Sequence, residues 1–272
     1  MVTRENPNPS PGTAGAVFAR VLVGVDGSAE ALEALRQAAL LTAPDGELAL
    51  VAAWSLAPPL VAPLTIVPPY DGDAEAARTQ AEAALREASE HVKADSAVVS
   101  QGFAAQVLLN RIERAHDTLV AVGSHGQNRA TGILAGSTTT ELVHRAPCSV
   151  LVARAGAGPW FPRRIVVGVD GSPGSALAYA AARHLCARVD GDLSVVVAEG
   201  GDTIDLGAVS LIAGDGFHVS DDDPVAVLTA AGADADLLVL GSRGLHGLKA
   251  LGSVSERVAH RAACSTLIVR ES

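Results

Sequence analysis

Gly123, Gly126, Gly136, Ser137 and Thr138 fall within one stretch, GSHGQNRATGILAGST, that directly follows the apolar run Thr118–Val122. A strand that ends in glycines and then enters a helix presents unpaired backbone N–H groups, and such groups bind anions. Phosphate is the first ligand this implies. The glycines let the backbone approach a phosphate with no Cβ in the way, and Ser137 and Thr138 add hydroxyls at the helix start. Val122 and Thr139 adjoin the stretch on its strand and helix sides, and His125 lies between the first two glycines. A carboxylate can join them. Asp26 ends the apolar run Arg20–Val25, and open parallel sheets bind ligands where the strand order reverses. Two plainer readings stand beside this one: the glycines as turn and helix-cap residues, and Asp26 as a helix cap.

The arrangement occurs twice. VLVGVDGS ends at Ser28 and IVVGVDGS at Ser172, so Asp170 repeats Asp26. Leu237–Leu240 runs into GSRGLHGLKALGS, Gly241–Ser253, and the copies close alike, as HRAPCSVLV from His144 and HRAACSTLIV from His260. This reads as two homologous domains, 18–153 and 164–272, joined by a linker at 154–163 and preceded by a disordered leader, 1–17. The second copy is trimmed. Its offset from the first falls by 27 residues between the pairs Gly46/Gly191 and Gly123/Gly241, about the length of one long helix and its loop. Its glycine loop is also shorter, with seven residues between Gly244 and Gly252 against nine between Gly126 and Gly136.

These segments need rigid elements to hold them, and the pattern supplies strands and helices in alternation. Strands are expected at Arg20–Val25, Leu48–Ala53, Ala97–Val99, Thr118–Val122 and Ser149–Ala153, with Ser28 as a helix N-cap and helices at Ala74–Lys93 and Ala104–Ala115. In the second copy, Arg164–Val169, Leu193–Ala198 and Phe217–Val219 read as strands and Ser175–Ala187 as a helix, while Asp202–Gly216 is weakly defined. Alternation of this kind gives an α/β fold with parallel sheets covered by helices on both faces.

Composition narrows the function. The apolar share is 49% and the charged share 18%, a globular balance, and the formal charge of −10 disfavours nucleic acid and acidic membranes as partners. Leu48–Tyr70 is uncharged, but five prolines break it as a membrane span. Three cysteines, Cys148, Cys186 and Cys264, read as reduced thiols of a cytoplasmic protein, the first and last packed in cores. His144 and His260 read as helix-end dipole partners rather than metal ligands. Neither Lys93 nor Lys249 sits in a Walker A loop, and G-x-S-x-G, C-x-x-C and H-E-x-x-H are absent from the sequence. No catalytic constellation is expected.

Taken together, GVDGS after the first strand, the spacing Gly123, Gly126, Gly136-Ser137, and the closing HRAPCSVLV resemble the universal stress protein family over Phe18–Ala153 and Arg164–Arg270. The resemblance implies two tandem open five-stranded sheets in the order 3-2-1-4-5, ATP as ligand with or without Mg2+, and dimer-like pairing through the last strand. In a single chain that pairing becomes an internal pseudo-dimer, with further homodimerisation left open. It also implies a stress-response role with an unknown protein partner. Residue by residue, it places Asp26 towards the ribose, Ala53 near the adenine with Val25 alongside, and Gly123, Gly126, Gly136, Ser137, Thr138 and Thr139 around the phosphates. His125 stands where many nucleotide-binding members have arginine, and an imidazole offers a triphosphate less charge. Asp170, Gly241, Arg243, Gly244, Gly252 and Ser253 form the matching set in the second copy, read as degenerate because its loop is short. Two other readings remain, a nucleotide-free interaction module and a slow ATPase or nucleotidyl transferase. A Gly123→Val change is expected to remove nucleotide with the fold left intact.

Overall fold

Apolar runs of four to eight residues form most strands of this protein, and alanine-rich segments wrap them. The computed structural model describes residues 18–56, 74–126, 136–155, 158, 161–200, 204–242 and 254–271. The first half comprises β1 (Phe18–Val25), α1 (Ala29–Leu41), β2 (Thr42–Trp54), α2 (Ala74–His91), β3 (Ser96–Gln101), α3 (Ala104–Ala115), β4 (Leu119–Gly123), α4 (Ser137–Arg145) and β5 (Ser149–Ala153). The second comprises β6 (Arg164–Gly168), α5 (Pro173–Val189), β7 (Asp192–Ala198), α6 (Leu206–Ala213), β8 (Phe217–Ser220), α7 (Pro224–Ala231), β9 (Leu237–Gly241), α8 (Val254–Arg261) and β10 (Ser265–Val269).

Each half has the strand order 3-2-1-4-5, but they do not form separate sheets. The ten strands make one sheet, β3-β2-β1-β4-β5-β10-β9-β6-β7-β8. Pairing within each half is parallel, whereas β5 and β10 run antiparallel, with Leu151 opposite Leu267. The last-strand pairing expected of a dimer therefore lies inside one chain.

Successive strand residues face opposite layers, as a two-residue period requires. Val21, Val23 and Val25 join the core beneath α1, α2, α5 and α6, while Leu22 joins the one beneath α3 and α4. A third cluster fills the space under α7 and α8. Every strand at the middle of the sheet is thus buried on both faces, which is why these runs read as continuously apolar.

Three expectations change. β2 begins six residues earlier than the apolar run, because Thr42–Glu47 continues alongside β1, with a register irregularity between Phe18 and Arg20. The weakly defined segment of the second half contains α6, started by Asp205, whose carboxylate accepts from the N–H groups of Gly207 and Ala208. Its sequence LGAVSLIA is apolar at every position but Ser210, so no helical period marks it. Eight residues there stand where the first half has the eighteen of α2. The third change concerns Arg154, read as linker: it is half-buried, and its guanidinium donates to the carbonyls that end α8. Residues 1–17 and 57–73, including the proline-rich stretch, lie outside the described residues. Among the described residues, no helix is long and apolar enough to cross a membrane.

Cys148 and Cys264 sit at the starts of β5 and β10 with 1% and 8% exposure. Burial is the main cause that pushes the Cys148 thiol up to about 12 and the Cys264 thiol up to about 11. Only a thiolate reacts quickly. Ellman's reagent at neutral pH is expected to titrate at most one thiol of the native chain, Cys186, and all three after denaturation; rapid release of two or three equivalents would contradict this packing.

Candidate functional site

β1 and β4 are neighbours, and the order reverses between them because β1 leads to β2 on one side while β4 leads to β5 on the other. Their carboxyl ends open a cleft of 190 Å³. β1 and the turn after it contribute Val25 and Asp26; β2 contributes Ala53; β4 and the turn after it contribute Val122, Gly123, His125 and Gly126; and Gly136, Ser137, Thr138 and Thr139 come from the start of α4. All eleven first-half residues named from sequence therefore meet in one place. Val51, Ala104 and Leu108 also line the wall. Nothing in the sequence separates those three from ordinary core residues.

Asp26 is not itself the helix cap. Its Oδ1 accepts from the Ser28 N–H at 3.0 Å and the Ser28 hydroxyl at 2.6 Å, and that hydroxyl caps α1 by accepting from the Ala31 N–H at 3.1 Å. Gly27, at φ 81, makes the turn that lets this happen. The same relay recurs at Asp170, Ser172 and Ser175. One carboxylate oxygen thus fixes the turn, and the carboxylate borders the cleft.

The three glycines have different reasons. A Cβ on Gly123 would lie 2.8 Å from the Glu30 carbonyl carbon and 3.0 Å from the Ala31 nitrogen, so the space belongs to α1 packing against β4. A Cβ on Gly126 would meet Asp26 Oδ2 at 2.5 Å. At Gly136 the nearest atoms, in the Ser124–Gly126 turn, are 3.9–4.0 Å away. Of the three, only Gly136 leaves room for a Cβ among the described residues, and its N–H donates to the Ser124 carbonyl at 2.9 Å, closing the turn over the helix start. Thr139 fastens α4 to β4 through its hydroxyl, which donates to the Gly123 carbonyl at 2.9 Å. His125 Nδ1 lies 3.1 Å from the Ser124 hydroxyl.

Gly136 begins α4 without a capping side chain. The first N–H groups of that helix have no partner within it and carry the positive end of its dipole beside Ser137 and Thr138. Chemically, the cleft offers an apolar slot between β2 and α3, a carboxylate suited to hydroxyls, and a donor-rich helix end suited to an anion.

In the second half, Gly241 and Asp170 hold the matching positions. A Cβ on Gly241 would lie 2.4 Å from the Gly174 backbone, where the first half has Glu30, so α5 crowds β9 more closely still. Arg243, Gly244, Gly252 and Ser253 lie outside the described residues.

The expected helix-end histidines have a further partner. His144 Nε2 is 2.5 Å from Glu256 Oε1, and His260 Nε2 is 4.0 Å from the same oxygen, so α4 and α8 share one carboxylate across the junction. Burial is the main cause that lowers the His260 pKa.

A family model described as the universal stress protein family matches residues 18–154 and 217–270. A universal stress protein of Mycobacterium tuberculosis (strain H37Rv) is 32% identical over 183 residues, covering 57% of this chain and 62% of that protein. The match thus spans less than two thirds of that relative's length. A universal stress protein of Mycolicibacterium smegmatis is 27% identical over 288 aligned positions, covering 92% of this chain and 96% of the relative. Among solved structures, a universal stress protein from Archaeoglobus fulgidus matches with a TM-score of 0.70 at 20% identity, over 94% of this chain and 97% of that one.

Proposed function

Because this chain belongs to the universal stress protein family, we propose that it is a stress-response regulator that binds ATP, with or without Mg2+, in the first-half cleft. The observation that carries this reading is the convergence of a strand-end carboxylate, an apolar slot and an uncapped helix N-terminus in one crevice. The volume of 190 Å³ falls short of the roughly 300–1,000 Å³ of pockets that enclose whole ligands. The cleft then seats the nucleoside, with Asp26 towards the ribose and Ala53 near the adenine. The phosphates extend along the α4 N-terminus, away from the Asp26 carboxylate that fills the space at Gly126.

The protein acts through binding rather than turnover, and the second half serves mainly as its fixed partner across β5 and β10. Its three free cysteines favour a cytoplasmic setting.

Gly136→Ala tests the site. Its backbone, at φ −68 and ψ 157, suits alanine, and the added methyl meets no atom of the described residues closer than 3.9 Å. Calorimetric titration with Mg-ATP is expected to give at least tenfold weaker binding for the variant, with its melting temperature nearly unchanged. Equal affinity in both proteins would move the nucleotide out of this cleft.

A further inference from the structure

A second cavity, of 250 Å³, lies at the other end of the first-half sheet, where β1, β3 and β4 begin and α3 ends. Its walls are charged: Arg20, Glu47, Asp95, Arg111 and Asp117 all border it. Three of these have work within the protein. Asp95 Oδ2 accepts from the Leu48 N–H at 2.8 Å, and Arg20 donates to the Ala115 carbonyl at 2.6 Å while its Nε lies 3.5 Å from Glu47 Oε2. The other two do not. Asp117 is 6% exposed, yet among the described residues its Oδ2 has no hydrogen-bond partner, and the buried Nε of Arg111 has none either.

Leaving a buried donor or acceptor unpaired costs about 1–3 kcal/mol, and more when it is charged. Here an acceptor and a donor of opposite charge are both left so, on two side chains that border one cavity. They act on each other electrostatically: burial raises the Asp117 carboxyl above its ordinary range, while Arg111 and Arg20 pull it down and Glu47 pushes it up. A single water needs roughly 10–15 Å³, so the space is far larger than one bridging water requires. A lone anion would satisfy Arg111 and leave Asp117 bare. A lone cation would do the reverse.

The second half provides an internal comparison. Leu108 and Leu228 pack against the matched glycines Gly24 and Gly168, and counting on from them puts Ala231 at the place of Arg111. Counting back from β4 and β9 puts Ala235 at the place of Asp117. The arginine at the strand start is kept, as Arg164, but the neighbouring acid, Asp236, is fully employed: its Oδ2 accepts from the N–H groups of Arg163 and Arg164 at 2.9 and 2.8 Å. The same fold therefore forms without the Arg111 and Asp117 pair.

We propose that this cavity is a second ligand site, independent of the nucleotide cleft, that takes a small zwitterion bearing an ammonium and a carboxylate, the chemistry of a free amino acid. The ammonium is held by the Asp117 carboxylate and the carboxylate by the Arg111 guanidinium, both of which border the cavity. Ser96, on the same wall, adds a hydroxyl.

The test is calorimetric titration of the full chain with L-serine, glycine, acetate, methylammonium and glycine betaine. L-serine or glycine is expected to bind at one equivalent. Acetate and methylammonium each supply half the chemistry, and betaine has a cationic group without N–H donors, so all three are expected to bind at least tenfold more weakly. The Arg111→Ala/Asp117→Ala protein takes the alanines of the second half at both places; it is expected to keep its circular dichroism spectrum and Mg-ATP affinity while losing amino-acid binding at least tenfold. Absence of binding by both amino acids, acetate binding as well as glycine, or undiminished binding by the folded double variant would each overturn the proposal.

Discussion

A Gly123→Val protein is expected to be destabilised by about 3 kcal/mol or more, the upper end for overpacking a tight interior. The valine Cβ would fall 2.8 Å from the Glu30 backbone and 3.0 Å from the Ala31 nitrogen. These are main-chain atoms of the first turn of α1, held by the Ser28 cap and unable to swing aside as a long side chain can. Relief requires α1 to move off β4, which would open the core that Ala34, Leu35 and Ala38 fill with no exposure. Urea denaturation followed by circular dichroism measures this directly. Loss of nucleotide binding by this variant would report the packing of a helix rather than contact with phosphate, so the variant the sequence suggested as a clean test is not one. A stability within about 1 kcal/mol of the parent, the range of well-accommodated substitutions, would contradict the packing described.

The second large effect is expected at the junction of the halves. Arg270, at the end of β10, donates to the carbonyls of Val143 and Ala146 at the end of α4 and of Cys148 at the start of β5. Arg154, at the end of β5, donates reciprocally to the carbonyls of Ala259 and His260 at the end of α8, at 3.1 and 2.9 Å. The backbone completes the exchange, with Arg154 N–H donating to the Ser265 hydroxyl and Arg270 N–H to the Ser149 hydroxyl. Each half thus supplies the cation that satisfies the other's last helical carbonyls and its dipole. Burial lowers the pKa of both guanidiniums, but from so high a value that they stay charged.

Arg270→Ala removes charged donors from at least two buried carbonyls. With hydrogen bonds to charged groups worth about 1.5–3 kcal/mol each, a loss of about 3 kcal/mol is expected. Thermal denaturation of Arg270→Ala and Arg154→Ala compares the two ends of the junction. If Arg270→Ala costs less than about 1 kcal/mol, the two halves are held by their strands alone and the caps are incidental.

The sequence carried a good deal of this molecule in legible form. Parallel strands buried on both faces appear as unbroken apolar runs, so β1, β4 and β5 could be placed within a residue or two, and the doubled GVDGS segment placed two acids at two strand ends. Convergence of Asp26, Ala53 and the Gly123–Thr139 residues followed from the implied strand order. What could not be read depends on distances across the chain. Three glycines look alike in sequence, yet one makes room for a helix, one for a carboxylate and one for the cleft. Arg154 reads as the first residue of a linker because its partners, Ala259 and His260, are more than a hundred residues away. That two sheets merge into one is decided at the edge of β5, where its apolar residues Val150–Val152 need β10 to cover them. The orphaned Asp117 is equally silent in the sequence, since an unpaired oxygen is visible only when every neighbour is in place.

The central claim is that the chain holds one nucleotide and holds it in the first half. Native mass spectrometry of the intact chain with Mg-ATP counts bound nucleotides directly. The account predicts a single ATP adduct at saturating but micromolar-range ligand, reduced in Gly136→Ala; no adduct, or two adducts filling in equal measure, would contradict it.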